Sequence, residues 1–304
     1  MAEATSSKQH PLFPGIFLRG VLMGAADIVP GVSGGTMAFI TGIYHRLLAA
    51  ISAFDLRLLQ LLAKRQWKSA WTQVDAPFLL TLGAGIATSV LSLARLISYL
   101  LVAYPLLVWS LFFGLIFGSA ITLTRHVDQW SPGAVIGLLL AAAVAVGIAY
   151  APDMALPDSS ISFFFAGFVA ICAMILPGVS GSFLLVLLGM YERVLMAIET
   201  LDIVQIIIFA AGAGSGLLVF SRVLNLLLAR YHSITLATLT GFLYGSLTVV
   251  WPWKLGEEGA MQPAMPGAYA AEFGSSALLP CLALMAIGLV LVALLESRWG
   301  GLER

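Results

Sequence analysis

Two short stretches carry residue types that an uninterrupted membrane helix has no use for. Pro30-Gly31-Val32-Ser33-Gly34-Gly35-Thr36 breaks an apolar segment, and Pro177-Gly178-Val179-Ser180-Gly181-Ser182 does the same 147 residues later. The likeness runs on, with Gly42-Ile43-Tyr44-His45-Arg46 answered at the same offset by Gly189-Met190-Tyr191-Glu192-Arg193. Glycine permits positive φ and close approach, and a helix starting after such a turn presents unpaired N–H groups and a partial positive charge. That arrangement attracts anions, with hydroxyls as further donors. Ser33, Gly34, Gly35, Thr36, Ser180, Gly181 and Ser182 are therefore candidate substrate-binding residues; the hydroxyls can also cap the helices that follow.

Charged residues inside apolar segments point the same way. Five of the fifteen basic residues, Arg19, Arg46, Arg95, Arg193 and Arg222, fall there, against two acids, Asp27 and Glu192. An ionised side chain at the bilayer centre costs at least ~2.5–3.5 kcal/mol, so such groups face a partner or a pathway. A surplus of positive charge suits an anionic substrate. Arg46 and Arg193 stand near the exits of the two motifs, and Arg95 and Arg222 hold matching positions in two later segments; all four are candidates. Arg19 is expected to snorkel to the membrane surface. Asp27 is either an ion-pair partner of one of these arginines or a protonatable coupling site, with Glu192 as a second coupling candidate for a proton or sodium gradient. His10, His45, His126 and His232 are scattered and near segment ends, which predicts no metal site, and Cys172 and Cys281 have no ligand cluster beside them. Tyr44 and Tyr191 are expected to anchor their segments at the interface. With no histidine or cysteine beside the motifs, nothing supplies the nucleophile and acid–base pair of an enzyme such as a lipid phosphatase.

The elements that must hold these residues follow from composition. The 304 residues are 60% hydrophobic and 10% charged, with mean hydropathy +1.00, far from the ~25% charge of soluble domains. Long unalternating apolar runs predict an all-α polytopic membrane protein, a single membrane domain over 1–304. Each motif has about a dozen apolar residues before it and about fifteen after; at ~1.5 Å per residue neither arm crosses a ~30 Å core, so each reads as a re-entrant hairpin, over about 16–52 and 162–198. A connector at 53–76, mixing Leu, Trp and basic residues, suits a surface helix or a plain loop. Spans fit at about 77–101, 105–124, 133–150, 203–228, 234–252 and 276–295, and the loop between the last two is assigned no function.

The later spans repeat as well. Gly83-Ala84-Gly85 matches Gly212-Ala213-Gly214, Arg95 matches Arg222, Tyr104 matches Tyr231, and Phe113-Gly114 through Ser119 resembles Thr240-Gly241 through Ser246. One hairpin plus three spans per half, repeat one over 16–150 and repeat two over 162–295, inverts the second half relative to the first, a plan common among secondary transporters. With both termini inside, nine basic residues (Lys8, Arg57, Lys64, Arg65, Lys68, Arg125, Arg230, Arg298 and Arg304) fall on the cytoplasmic side and Lys254 outside. The acids Asp153, Asp158, Glu199, Asp202, Glu257, Glu258 and Glu272 collect in outer loops. The first tip then opens from the cytoplasm and the second from outside.

The run Gly24-Ala25-Ala26-Asp27-Ile28-Val29-Pro30-Gly31-Val32-Ser33-Gly34-Gly35-Thr36, with Leu176-Pro177-Gly178-Val179-Ser180-Gly181-Ser182, resembles the bacterial polyprenyl-phosphate (undecaprenyl phosphate) translocase family, once catalogued as a domain of unknown function. The resemblance covers nearly the whole chain. It implies a multi-pass protein of the bacterial cytoplasmic membrane that returns undecaprenyl phosphate from the outer to the inner leaflet, with no cofactor and with the polyprenyl phosphate and membrane lipids, not nucleic acid, as partners. One departure is local: Glu192 follows Tyr191, whereas His45 follows Tyr44. The residues alone fit a lipid-phosphate carrier or a transporter or channel for a small soluble anion or other ion, since both use the same tips.

Overall fold

Proline, glycine and small polar side chains set where the helices of this chain stop. A computed structural model describes residues 13–28, 33–151, 156–157, 159–256 and 262–299. The tip residues Pro30, Gly31 and Val32, the outer acids Asp153, Asp158, Glu257 and Glu258, and the terminal His10, Lys8 and Arg304 lie outside them. The first half runs α1 (Phe13–Asp27), α2 (Gly34–Ile40), α3 (Tyr44–Ser52), α4 (Leu56–Ala63), α5 (Trp67–Gln73), α6 (Ala76–Ala103), α7 (Pro105–Arg125) and α8 (Pro132–Ala149). The second runs α9 (Ser160–Ile175), α10 (Gly181–Leu187), α11 (Tyr191–Glu199), α12 (Ile203–Arg230) and α13 (His232–Ser246). It ends with a two-residue antiparallel pair, β1 (Lys254–Leu255) with β2 (Gln262–Pro263), then α14 (Pro266–Phe273) and α15 (Leu278–Trp299).

Equivalent elements recur at fixed spacing. α2 and α10, and α3 and α11, begin and end 147 residues apart, while α6 and α12 are 28 residues each and 127 apart. The difference is the insertion of α4 and α5. Those two helices leave Leu56, Leu59, Trp67 and Trp71 exposed beside Arg57, Lys64 and Lys68, as a surface-lying connector would. Both long helices break at a single tyrosine, Tyr104 with φ −138° and ψ 52° and Tyr231 with φ −133° and ψ 48°. Pro105 forbids continuation after the first; the second takes the same backbone without a proline.

Packing repeats too. α1 lies along α6 as α9 lies along α12, and across the halves α8 packs on α13 as α7 packs on α15. Lipid tails are as apolar as leucine, so close approach of backbones rather than the hydrophobic effect holds such pairs together. A Cβ on Gly20 would sit 2.2 Å from the Leu82 carbonyl and one on Gly167 2.2 Å from that of Phe209; Gly85 and Gly212 complete the two contacts from the facing helices. This corrects the register read from the sequence by two residues. Gly85 is the counterpart of Gly212, and Gly83 and Gly214 face open space.

Among the described residues, five helices are long and apolar enough to cross a bilayer: α6, α7, α8, α12 and α15. The chain is a multi-pass membrane protein of the all-α class, its one two-residue strand pair lying in a connection. α13, expected to reach residue 252, ends at Ser246 after 15 residues. It is continued by turns that bury Val250 and Trp253, whose indole donates to the Ser276 carbonyl. Trp251 donates to the Ala264 carbonyl, so the 251–276 connection is fastened at both ends. The main core gathers α2, the start of α3, α7 and α13, and a smaller cluster joins α9, α10 and α11.

Candidate functional site

Each hairpin turns through the same local chemistry. Ser33 and Ser180 cap α2 and α10 by accepting from Gly35 N and Phe183 N. Gly42 (φ 65°) and Gly189 (φ 62°) occupy the left-handed region between the short helices, so the turn is cheap only for glycine. In the second hairpin α10 and α11 meet at 103°.

The first tip is built into the second half. A helix leaves its last carbonyls without intrahelical partners, and those of α9 are met by hairpin one: Ser33 Oγ donates to the Met174 carbonyl at 2.7 Å and Tyr44 Oη to the Ile175 carbonyl at 3.0 Å. Gly178 N, in the second motif, donates to Thr36 Oγ1 at 3.2 Å. Gly35 lies against the Ile175 carbonyl, where a Cβ would stand at 2.6 Å. The two motifs thus meet inside the protein. Tyr44 is a correction to the interfacial reading, being 1% exposed, whereas Tyr191 is 39% exposed.

The charged candidates are distributed otherwise. Among the described residues Asp27 pairs with no arginine; its Oδ1 accepts from Gly34 N at 2.6 Å and so occupies the first amide of α2. Arg19 does not snorkel. It is 1% exposed and donates to the Thr41 carbonyl at 3.0 Å, joining α1 to the α2–α3 turn. Arg46 forms an ion pair with Asp75 at 2.7 Å and stacks over Phe78. Arg193 donates to the Leu156 carbonyl, Arg222 to that of Phe54, and Arg95 and Glu192 are exposed on α6 and α11. The structure brings together Asp27, Ser33, Gly34, Gly35, Thr36 and the second motif, with Ser180 and Ser182 bonded to each other at 2.9 Å. It does not bring the four candidate arginines to the tips.

Two cavities flank this centre. One of about 210 Å3 touches Asp27, Gly34, Gly35 and Tyr44 and is otherwise walled by apolar side chains such as Ile86, Ile171 and Leu217. The larger, about 390 Å3, lies beside the α2–α3 turn and has a lining about half polar and half apolar. Three of the histidines read as scattered, His45, His126 and His232, line it. Only the chain's folding joins them, since α3, α7 and α13 are far apart in sequence; the one local sign was His45 standing where the second half has Glu192. Among the described residues no group is arranged to hold a metal ion.

With this geometry in hand, comparison with known proteins is specific. Residues 23–265 match the family described as Undecaprenyl phosphate translocase-like. A Vibrio cholerae serotype O1 protein named Polyprenyl-phosphate transporter is 45% identical over 238 residues, 78% of this chain and 77% of that one. A Staphylococcus aureus protein of the same name is 32% identical over 256 residues, 77% and 85% of the two chains. No solved structure matches. The chain belongs to the undecaprenyl phosphate translocase-like family.

Proposed function

We propose that this protein carries a polyprenyl phosphate, undecaprenyl phosphate above all, from the outer to the inner leaflet of the bacterial cytoplasmic membrane. It does so by alternating access of two inverted repeats, each a re-entrant hairpin plus three spans, with both termini cytoplasmic. The observation that carries the substrate is membership of the family together with two relatives named for polyprenyl-phosphate transport. The lipid's anionic head needs shelter from hydrocarbon, while its tail can stay in lipid. Once released from their present partners, the interlocked tips would supply hydroxyls and amides at Ser33, Gly34, Gly35, Thr36, Ser180, Gly181 and Ser182, and the apolar cavity beside Asp27 suits the first isoprene units.

Movement follows from a broken symmetry. α3 packs on α12, but α11 packs on α12 as well, beside its own half, rather than on α6. Exchanging the two arrangements would seat α11 on α6 and free α3, turning access from one face to the other. Asp27 now holds Gly34 N as an anionic oxygen of the substrate would, so its displacement or protonation couples the head group to a proton or sodium ion, with Glu192 on α11 as the second coupling candidate. Exposed Arg95 and Arg222 hold the same position toward the C-terminal ends of α6 and α12, so in inverted repeats they guide the head group at the two faces, and Arg46 and Arg193 do so at the hairpin exits.

Reconstitution with undecaprenyl phosphate confined to one leaflet tests the reading. Wild type is expected to exchange the lipid well above the protein-free rate, and Ser33→Ala, Arg95→Ala and Arg222→Ala to slow it. Exchange no faster than in empty vesicles sinks the transport assignment; exchange unchanged in every variant sinks the site.

A further inference from the structure

Among the described residues the tips hold hydroxyls and amides but no cation to pair with a phosphate. The cations are in the 390 Å3 cavity. It is lined by His45 of α3, Arg125 and His126 at the end of α7, Asp128 in the next connector, His232 opening α13, and Glu296 of α15. His45 and His232 stack with ring centroids 6.2 Å apart and planes 13° from parallel. His232 Nδ1 is 3.7 Å from Asp128 Oδ2. His126 Nδ1 lies 2.8 Å from the Thr122 carbonyl, which can only accept, so that nitrogen carries a proton and donates. Glu296 accepts from Thr122 Oγ1 at 2.9 Å. Among the described residues the exposed Arg125 makes no hydrogen bond or ion pair, which leaves its guanidinium fork available to an incoming ligand.

The lining therefore changes sign with its imidazoles. One arginine against two carboxylates gives a formal charge of −1 with the three histidines neutral and +2 with all three protonated. Histidine is the side chain whose charge changes near neutrality. A guanidinium fork flanked by imidazolium N–H groups is the donor set that phosphate oxygens take.

We propose that this cavity is a phosphate-monoester site at the cytoplasmic mouth of hairpin one, where Arg125 and protonated histidines receive the head group as it leaves the tips. The assignment to a lipid head rests on the transport reading above; the recognition chemistry would be the same for free phosphate.

Calorimetry on the whole protein in nanodiscs tests it, with geranyl monophosphate, inorganic phosphate and sulfate as probes. Sulfate is included because it stays a dianion, whereas phosphate monoesters change charge near pH ~6. Arg125→Gln is expected to weaken every probe by about tenfold, the loss of a charge-assisted pair. Asp128→Asn is expected to tighten them by about threefold, a gain that misfolded protein cannot give. Wild-type sulfate affinity should rise severalfold between about pH 8 and about pH 6, and lose that slope in the His45→Gln/His126→Gln/His232→Gln variant. Tighter binding of geranyl monophosphate than of inorganic phosphate identifies the lipid as source; equal binding identifies the phosphate group alone, and both uphold the site. Unchanged affinities in Arg125→Gln and Asp128→Asn, or a flat wild-type sulfate profile, overturn it. Lipid exchange that is intact while no probe binds removes this site only, and probe binding that obeys these rules without lipid exchange removes the transport reading only.

Discussion

Hairpin one and hairpin two share a motif, a cap and a glycine turn, yet they occupy different environments. Every residue of α2 is buried and sits in the main core, whereas α10 leaves Val186 47% exposed and belongs to the satellite cluster. Ser33 reaches across to the Met174 carbonyl, while Ser180 bonds Ser182 two residues on. Residues within a few positions of each other fix the bend. What the bend leans against depends on the opposing half, and the two halves differ there.

The comparison can be broken where it is strongest. Gly20→Leu and Gly167→Leu should be equally severe, each forcing a helix pair apart at about 3 kcal/mol or more, read as loss of a monodisperse peak in detergent. Unequal losses would show that the shared packing is not what holds both halves. Ser33→Ala should cost about 1–3 kcal/mol because it strands a part-buried carbonyl of α9, and Ser180→Ala about 1 kcal/mol or less as loss of a local cap, in denaturation of the detergent-solubilised protein. Tyr44→Phe should cost about 1 kcal/mol and Tyr191→Phe close to nothing, by the same measurement. The smallest change in stability comes from tethering. With Cys172 and Cys281 replaced, a disulfide joining α3 to α12 should leave the fold intact and halt lipid exchange until reduced, as should one joining α11 to α6; free exchange in either tethered form would remove the alternation.

Much of the fold was legible because apolar runs and broken runs are local signals. α2, α3 and α10 fall inside the predicted hairpins, α11 overruns its own by one residue, and α6 and α12 lie within a few residues of the predicted spans. The glycine register was misread because Gly-Ala-Gly recurs out of step, and only a facing helix shows which glycine is needed at the crossing. Arg19 was misplaced for a related reason. Its distance along the chain from the surface said nothing of Thr41, whose carbonyl holds it inside. The partner of Asp27 also escaped, since an acid three residues before Pro30 can as easily meet an amide as an arginine. The histidine-lined cavity was invisible because no two of its histidines share an element.

Arg19 has no twin. At the equivalent position of the second half stands Ala166, and opposite Thr41 stands Leu188. One duplicated arm is therefore bolted by an internal cation and its copy is not, so the alternation proposed above would dwell unequally in its two orientations. Detailed balance forbids such lopsidedness from accumulating lipid by itself. Net movement of the proposed lipid would then demand an electrochemical gradient or its steady removal on one side, and the Arg19 bolt would set only the waiting time in each orientation.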